Sequence, residues 1–512
     1  MQKRVETESG ILEGYFGYDP RITVFKGVPY AAPPTGELRW RSPRPVPHWQ
    51  GVRPALRYGP IAMQWTPGAD PDDFWSRELH PAGTEYEMSE DCLYLNIFTP
   101  AKTDSERLPV LFYIHGGGYQ GGYPYEVEFD WEHMARKGIV AVAVTYRLGV
   151  FGFLAHPELT AEQPDAPKGN YGIEDQLCAL AWTRRNIAAF GGDPDRITIA
   201  GQSAGAGSVQ CLLTSPDARG LMAGAIIQSS VNADFADLGP SFMRTGTLEE
   251  AERAGAEFFQ KAGIASLDEA RALSAKELFR LSAEAHTFFT PAVDGILLPE
   301  APFDAYLHDN HHRVPVLTGY NRGETGGFMR RDGLPHTVAE FDSFAKRYGV
   351  HEDVFRGLCG VSRDPDVEAL FSSDAFTGMI AGAHLFGAVQ ARAGRATYIY
   401  EFDPDIPDDK CENVGSFHGA ELWFAYDSLA RSWRPFRGKH YDLARKVSAY
   451  WVNFVKTGDP NGMDAFGDPL PRWHSYTLDD PFVLGIRNEI GPVIPDRMEV
   501  LNFRIGHTLG TL

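Results

Sequence analysis

Short apolar runs recur along the chain, bounded by glycine or polar residues, and they predict strands buried inside a sheet. Two six-residue runs are PVLFYI at 109–114 and IVAVAV at 139–144. Further strands are predicted at 197–200 (ITIA), 224–227 (GAII), 314–318 (VPVLT) and 397–400 (TYIY).

Helical periodicity occurs between these runs. Residues 173–190 predict a helix with its apolar side chains on one face, and Gly191-Gly192 follows as a stop signal. The alternation predicts an α/β fold with a mostly parallel, twisted central sheet flanked by helices. Segments 51–91 and 232–299 show weaker periodicity and are predicted to be large insertions. With no internal repeat and no long flexible linker, residues 1–512 are predicted to form a single domain.

The composition excludes several classes of partner. The 512 residues are 43% hydrophobic and 23% charged, as in ordinary globular proteins. A formal net charge of −20 repels phosphate backbones and anionic lipid, so neither nucleic acid nor membrane is an expected partner. The charge favours solubility over the steering of cationic substrates. No apolar run approaches the roughly 20 residues needed to span a bilayer.

Cysteine usage indicates a reducing compartment. Five widely spread cysteines have no zinc-binding spacing and do not resemble a disulfide scaffold. Residues 1–14 are rich in charge and have no apolar core typical of a signal peptide. We therefore expect a cytoplasmic protein.

The first motif with catalytic character is Gly201-Gln202-Ser203-Ala204-Gly205, directly after the ITIA strand. A serine on a tight strand-to-helix turn needs neighbours without bulk, and the two glycines meet that need. The turn lifts the hydroxyl above the sheet, towards a helix N-terminus whose free N–H groups favour developing negative charge.

The second motif, HGGGYQGG at 115–122, follows the PVLFYI strand. Consecutive glycines let backbone N–H groups approach a substrate oxygen, as an oxyanion hole requires. A flexible surface loop is one alternative. A phosphate-binding loop is another, but no Gly-Lys-Ser/Thr sequence follows. Together the two motifs favour acyl transfer.

A serine nucleophile needs a general base and a carboxylate that orients it. Glu324 follows the VPVLT strand, and His418 lies between small residues beyond the TYIY strand. Open α/β sheets place their ligands beyond the carboxyl ends of the strands. The order Ser203, Glu324, His418 is typical of α/β-hydrolases, although spacing alone leaves other histidines open.

The chain resembles the type-B carboxylesterases, a family with the α/β-hydrolase fold. This family includes p-nitrobenzyl esterases, mammalian carboxylesterases and cholinesterases. The resemblance covers nearly the whole chain. Its motifs are FKGVPYA at 25–31, EDCLYLN at 90–96, YRLG at 146–149, GNYG at 169–172, FGGDP at 190–194 and GDPN at 458–461.

The resemblance implies a serine esterase acting on small carboxylic esters through an acyl-enzyme. It implies Ser203 as nucleophile, Glu324 as acid and His418 as base. The implied oxyanion hole consists of the N–H groups of Gly117, Gly118 and Ala204. It implies no metal and no organic cofactor, and no particular oligomeric state.

Three departures from the family pattern stand out. The family usually has glutamate where Gln202 precedes the serine. Cys92 stands where the family often forms a disulfide, but the partner position is Ala62, so Cys92 is expected to be unpaired. Counting back ten residues from Cys92 to the choline-binding tryptophan of cholinesterases gives Ala82, which argues against choline esters.

Two further functions stay open. The same machinery hydrolyses amides, thioesters, carbamates or polyesters, and some relatives of this fold are adhesion proteins that have lost the serine. Tyr119, Phe328 and Trp423 lie close in sequence to catalytic groups and are candidates for an apolar substrate pocket, or equally for the core.

Overall fold

A mixed sheet of eleven strands organises the part of the chain that the structure describes. A computed structural model describes residues 3–70, 72–80, 84–230, 235, 245–324, 334–410 and 412–512. The strands are β1 (Arg4–Thr7), β2 (Gly10–Glu13), β3 (Tyr15–Phe16), β4 (Thr23–Pro29), β5 (Val52–Pro54), β6 (Tyr94–Thr99), β7 (Leu108–Ile114), β8 (Val140–Val144), β9 (Gly192–Gln202), β10 (Gly224–Gln228), β11 (Gly246–Thr247), β12 (Ala292–Val293), β13 (Val316–Asn321), β14 (Thr397–Phe402), β15 (Val483–Ile486) and β16 (Ile490–Val493).

Helices cover the sheet. They are α1 (Phe74–Leu79), α2 (Trp131–Arg136), α3 (Gly149–Phe153), α4 (Pro157–Glu162), α5 (Tyr171–Asn186), α6 (Ala204–Thr214), α7 (Leu248–Ala262), α8 (Leu267–Ala272), α9 (Ala275–Glu284), α10 (Pro302–Leu307), α11 (Val338–Ala345), α12 (Glu352–Cys359), α13 (Asp364–Phe371), α14 (Gly378–Arg392), α15 (Glu421–Ala425), α16 (Gly438–Thr457) and α17 (Met498–Thr508). In the described ranges, none of them is both long enough and apolar enough to cross a membrane.

The centre of the sheet is parallel. Its strands lie in the order β16-β15-β14-β13-β10-β9-β7-β8-β6-β4-β3. Every pairing from β15 across to β8 is parallel, and the pairings at the two edges are antiparallel. The carboxyl ends of β7, β9, β13 and β14 therefore meet at one edge, where their loops can form a shared site.

The six predicted strands are confirmed as β7, β8, β9, β10, β13 and β14. The predicted helix 173–190 is α5 followed by a 3₁₀ turn, Ile187–Phe190, and it ends at Gly191 with φ 78°. Strand β9 begins five residues before the apolar run predicted, because Gly192 pairs with Leu108 of β7. The predicted α/β architecture, with a mostly parallel central sheet flanked by helices, is confirmed.

The core lies on both faces of the sheet, as the pleat of buried strands requires. Along β7, Val110, Phe112 and Ile114 pack in one apolar cluster, while Leu111 and Tyr113 pack in the other. The sheet is thus buried on both sides.

The two predicted insertions contain short elements. Segment 51–91 includes β5 and α1, and the described part of 232–299 includes β11, β12 and the amphipathic helices α7, α8 and α9. Helix α7 begins with a capping box between Thr247 and Glu250. Of these elements, α1 contacts the loops described next.

Candidate active site

Ser203 stands on a strained turn between β9 and α6. Its backbone has φ 57° and ψ −126°, a conformation that residues other than glycine rarely adopt. Its N–H donates a 2.9 Å hydrogen bond to the Gln228 carbonyl. A Cβ on Gly205 would lie 2.2 Å from the Ile114 oxygen, and one on Gly201 would lie 2.4 Å from the Gly205 backbone. The two glycines are thus required by close backbone approach.

The glycine-rich loop after β7 lies against this turn. A Cβ on Gly116 would lie 3.2 Å from the Ser203 Cβ. Gly117 and Gly118 have φ of 103° and 63°, which turn the loop back so that the Gly117 carbonyl accepts hydrogen bonds from later amides of the loop. Gln64 fixes the far end through paired hydrogen bonds of 2.8 and 3.0 Å with the Gly122 backbone.

Three backbone donors beside the serine have no partner among the residues that the structure describes. Within the described ranges, the N–H groups of Gly117, Gly118 and Ala204 have no hydrogen-bond acceptor. Ala204 is the first residue of α6, whose initial N–H groups have no partner within the helix. N–H groups at this position can donate hydrogen bonds to an oxyanion.

The loops after β13 and β14 bring Glu324 and His418 together. His418 Nδ1 lies 3.1 Å from Glu324 Oε2, and the Asn321 N–H donates to Glu324 Oε1 at 2.7 Å. The Gly323 N–H donates to the Ser416 carbonyl at 2.9 Å, which ties the two loops together. Burial lowers the pKa of His418, but the hydrogen bond and charge of Glu324 outweigh this effect and raise that pKa above its ordinary value.

Gln202 occupies the other side of the imidazole. Its Nε2 lies 3.2 Å from His418 Nε2, the nitrogen that faces away from Glu324. Among the described contacts, Ser203 Oγ makes no hydrogen bond to His418. In the sequence Gln202 is only a departure from the family pattern, because nothing there places its side chain against His418.

A second buried acid, Glu421, lies near the first and was not predicted from the sequence. The Glu421 carboxylate accepts a hydrogen bond from Asn321 Nδ2 and lies 3.4 Å from Gln228 Nε2 and Ser229 Oγ. Burial raises the pKa of Glu421 to about 7, although the hydrogen bond from Asn321 opposes it. The available signal was a single acid at the start of an otherwise apolar helix, three residues after His418.

Helix α1 lies over His418. The Trp75 ring centroid is 6.3 Å from that of His418, and Phe74 packs edge-to-face on Phe417 at 5.0 Å. The expected position of a choline-binding tryptophan, Ala82, lies outside the described residues. The structure nevertheless places a tryptophan beside the imidazole, from a segment whose weak periodicity did not predict the helix.

The three aromatic pocket candidates lie in different settings. Tyr119, in the glycine-rich loop, is 8% exposed, and its ring packs edge-on against that of Phe153. Trp423 is buried in the core cluster on one face of the sheet. Phe328 lies outside the described residues. In the described ranges, no cluster of three or more histidine, cysteine, aspartate or glutamate side chains is arranged to hold a metal ion.

Comparisons with known proteins match the chain to carboxylesterases and other esterases. The model of the carboxylesterase family matches residues 1–499. The chain is 34% identical over 476 residues to the fumonisin B1 esterase of Sphingopyxis macrogoltabida, covering 89% of this chain and 82% of the relative. It is 33% identical to the para-nitrobenzyl esterase of Bacillus subtilis (strain 168), covering 85% and 86%. A solved PNB esterase structure superposes with a TM-score of 0.78 at 29% identity, covering 99% of both chains.

Proposed function

The chain belongs to the carboxylesterase family and is a carboxylic ester hydrolase, and from this premise we propose that Ser203 is its nucleophile, His418 the general base and Glu324 the acid that orients the base. The observation that carries the proposal is the hydrogen bond of 3.1 Å between His418 Nδ1 and Glu324, beside the turn of Ser203. This bond leaves Nε2 as the basic nitrogen of the neutral imidazole.

In the acylation step, Ser203 Oγ attacks the ester carbonyl carbon while His418 Nε2 takes the hydroxyl proton. The carbonyl oxygen becomes an oxyanion and accepts hydrogen bonds from the free N–H groups of Gly117, Gly118 and Ala204. The intermediate collapses as the bond to the alcohol oxygen breaks, and His418 returns its proton to that alcohol.

Deacylation repeats these roles with water. His418 Nε2 takes a proton from water, whose oxygen attacks the acyl carbon of the ester formed with Ser203. The second oxyanion accepts hydrogen bonds from the same N–H groups. The bond between the acyl carbon and Ser203 Oγ then breaks as His418 returns the proton to Oγ. The carboxylic acid leaves, and the serine hydroxyl is restored.

The proposed substrates are small to medium esters. Tyr119 is proposed to line their pocket because it directly follows Gly118 in the oxyanion loop. Phe328 and Trp423 remain sequence-based candidates for the same role, although Trp423 packs within the core. No partner beyond the ester is proposed.

A reducing, cytoplasmic location is also proposed. It is supported by Ala62, which stands where the partner of Cys92 would be, and by the free thiols of the four described cysteines.

The experiment that tests the proposed nucleophile is labelling with a fluorophosphonate, followed by mass spectrometry of the peptides. We expect one adduct, on Ser203. Ser203→Ala should abolish labelling and lower kcat for p-nitrophenyl acetate by about 10⁴-fold or more. The matched control is Ser105→Ala, on an exposed loop, which should behave as the wild type. Labelling at another residue would refute the assignment.

A further inference from the structure

We propose that Gln202 is a positioning residue that holds the general base in the resting enzyme by donating a hydrogen bond to His418 Nε2. When the ester binds, Nε2 accepts a hydrogen bond from Ser203 Oγ instead. The inference rests on the proposed roles of Ser203 and His418. It concerns a residue at which the chain departs from the glutamate usual in its family.

The hydrogen-bonding groups on the two sides of the imidazole fix the direction of this bond. Glu324 faces Nδ1, so the neutral imidazole carries its proton there and presents a lone pair at Nε2. The Gln202 amide nitrogen, 3.2 Å away, is a donor and supplies a proton to that lone pair. The acceptor that Ser203 needs is therefore occupied in the resting site.

The surrounding backbone keeps the amide in this place. Gln202 is the last residue of β9 and pairs with Gln228 of β10. A Cβ on Gly116 would lie 3.2 Å from Gln202 Oε1, and one on Gly419 would lie 3.6 Å from Gln202 Nε2. The two glycines leave a slot for the amide between the oxyanion loop and the His418 loop.

The groups that face His418 determine what a charge at position 202 would do. Glu324 lies at Nδ1, Glu421 lies behind it across Asn321, and the uncharged Trp75 ring packs against the imidazole. The neutral Gln202 adds no charge at Nε2, and its N–H favours the neutral, basic imidazole. A glutamate there would instead pair with an imidazolium and keep the proton on the base.

The test compares Gln202→Glu, a carboxylate of the same shape, with Gln202→Met, which has similar length and no hydrogen-bond donor. The rate of fluorophosphonate labelling is measured between pH 5 and 9, because it reports the neutral fraction of His418. The expected midpoints rise in the order wild type, methionine variant, glutamate variant. The glutamate midpoint should lie about one pH unit or more above the wild type.

Two readouts separate the possible failures. The adduct is mapped in each protein: an adduct away from Ser203 refutes the proposed function, whereas an adduct on Ser203 with any other order of midpoints refutes the role of Gln202. Equal midpoints with equally reduced rates in both variants would show a purely structural role and also overturn it. If the methionine variant does not fold, the glutamate midpoint alone decides, and a shift of less than half a pH unit overturns the inference.

Discussion

The side-chain amide of Asn321 lies between the carboxylates of Glu324 and Glu421. Its nitrogen is 3.5 Å from Glu324 Oε1 and donates a hydrogen bond to Glu421. Their environments differ. Glu324 also accepts the Asn321 N–H and faces His418, whereas burial raises the pKa of Glu421 to about 7. Glu421 therefore takes up a proton near neutral pH, and the negative charge near His418 decreases as the pH falls.

Glu421→Gln is expected to shift the pH dependence of hydrolysis. In the proposed mechanism His418 must be neutral to take the serine proton, so kcat/KM should rise as the pH rises through the pKa of His418. The ionised Glu421 raises that pKa, so its removal should lower the midpoint. The midpoint is measured from kcat/KM for p-nitrophenyl acetate between pH 5 and 9.

Glu489→Gln is the control for this shift, because Glu489 is an exposed acid in the turn between β15 and β16. It should leave the midpoint within about 0.1 unit of the wild type, as expected for a screened surface charge. An unchanged or raised midpoint in Glu421→Gln would contradict the electrostatic link between Glu421 and His418.

The parts of the site predicted from sequence are those encoded locally. Ser203 and the loop of Gly117 and Gly118 directly follow apolar strand runs, and their glycines reveal the tight backbone. Glu324 and His418 were predicted because each follows a predicted strand and because their order along the chain matches that of the family. By contrast, the contact of Gln202 with His418 spans 216 residues of sequence. Local patterns do not encode such a distance, so this contact became visible only in the fold.

Helix α1 escaped prediction for the same reason. It has six residues, too few for a clear helical period, and its position depends on partners distant in the sequence. Glu78 of α1 pairs with Arg434, 356 residues away. The anchoring of this helix over His418 is therefore a property of tertiary packing.

Gly205→Ala is expected to disrupt the turn that holds Ser203. The added methyl would lie 2.2 Å from the Ile114 carbonyl oxygen, on a backbone fixed by the pairing of β7 with β9. Overpacking of this kind costs about 1–3 kcal/mol in the free energy of unfolding, and the displaced turn should lower kcat/KM more than about 100-fold. Urea unfolding and ester hydrolysis measure the two effects.

Gly357→Ala is the matched control, since Gly357 lies within α12 and a Cβ there would meet no atom within 4 Å. Alanine favours a helix over glycine by about 0.5–1 kcal/mol, so this variant should be slightly more stable and fully active. A Gly205→Ala protein with normal stability and activity would mean that the turn tolerates a side chain.

Arg434→Met tests the ion pair that anchors α1. Glu78 and Arg434 have side chains 1% and 2% exposed and are 2.6 Å apart, so the single substitution leaves a buried carboxylate without its partner. The free energy of unfolding should fall by about 3–5 kcal/mol, and the double variant Glu78→Leu/Arg434→Met should recover most of it. Because α1 places Trp75 beside His418, kcat/KM should fall in the single variant. Arg280→Ala, which breaks an exposed pair with Glu277, should cost less than about 1 kcal/mol. A double variant no more stable than the single one would show that the pair does not anchor the helix.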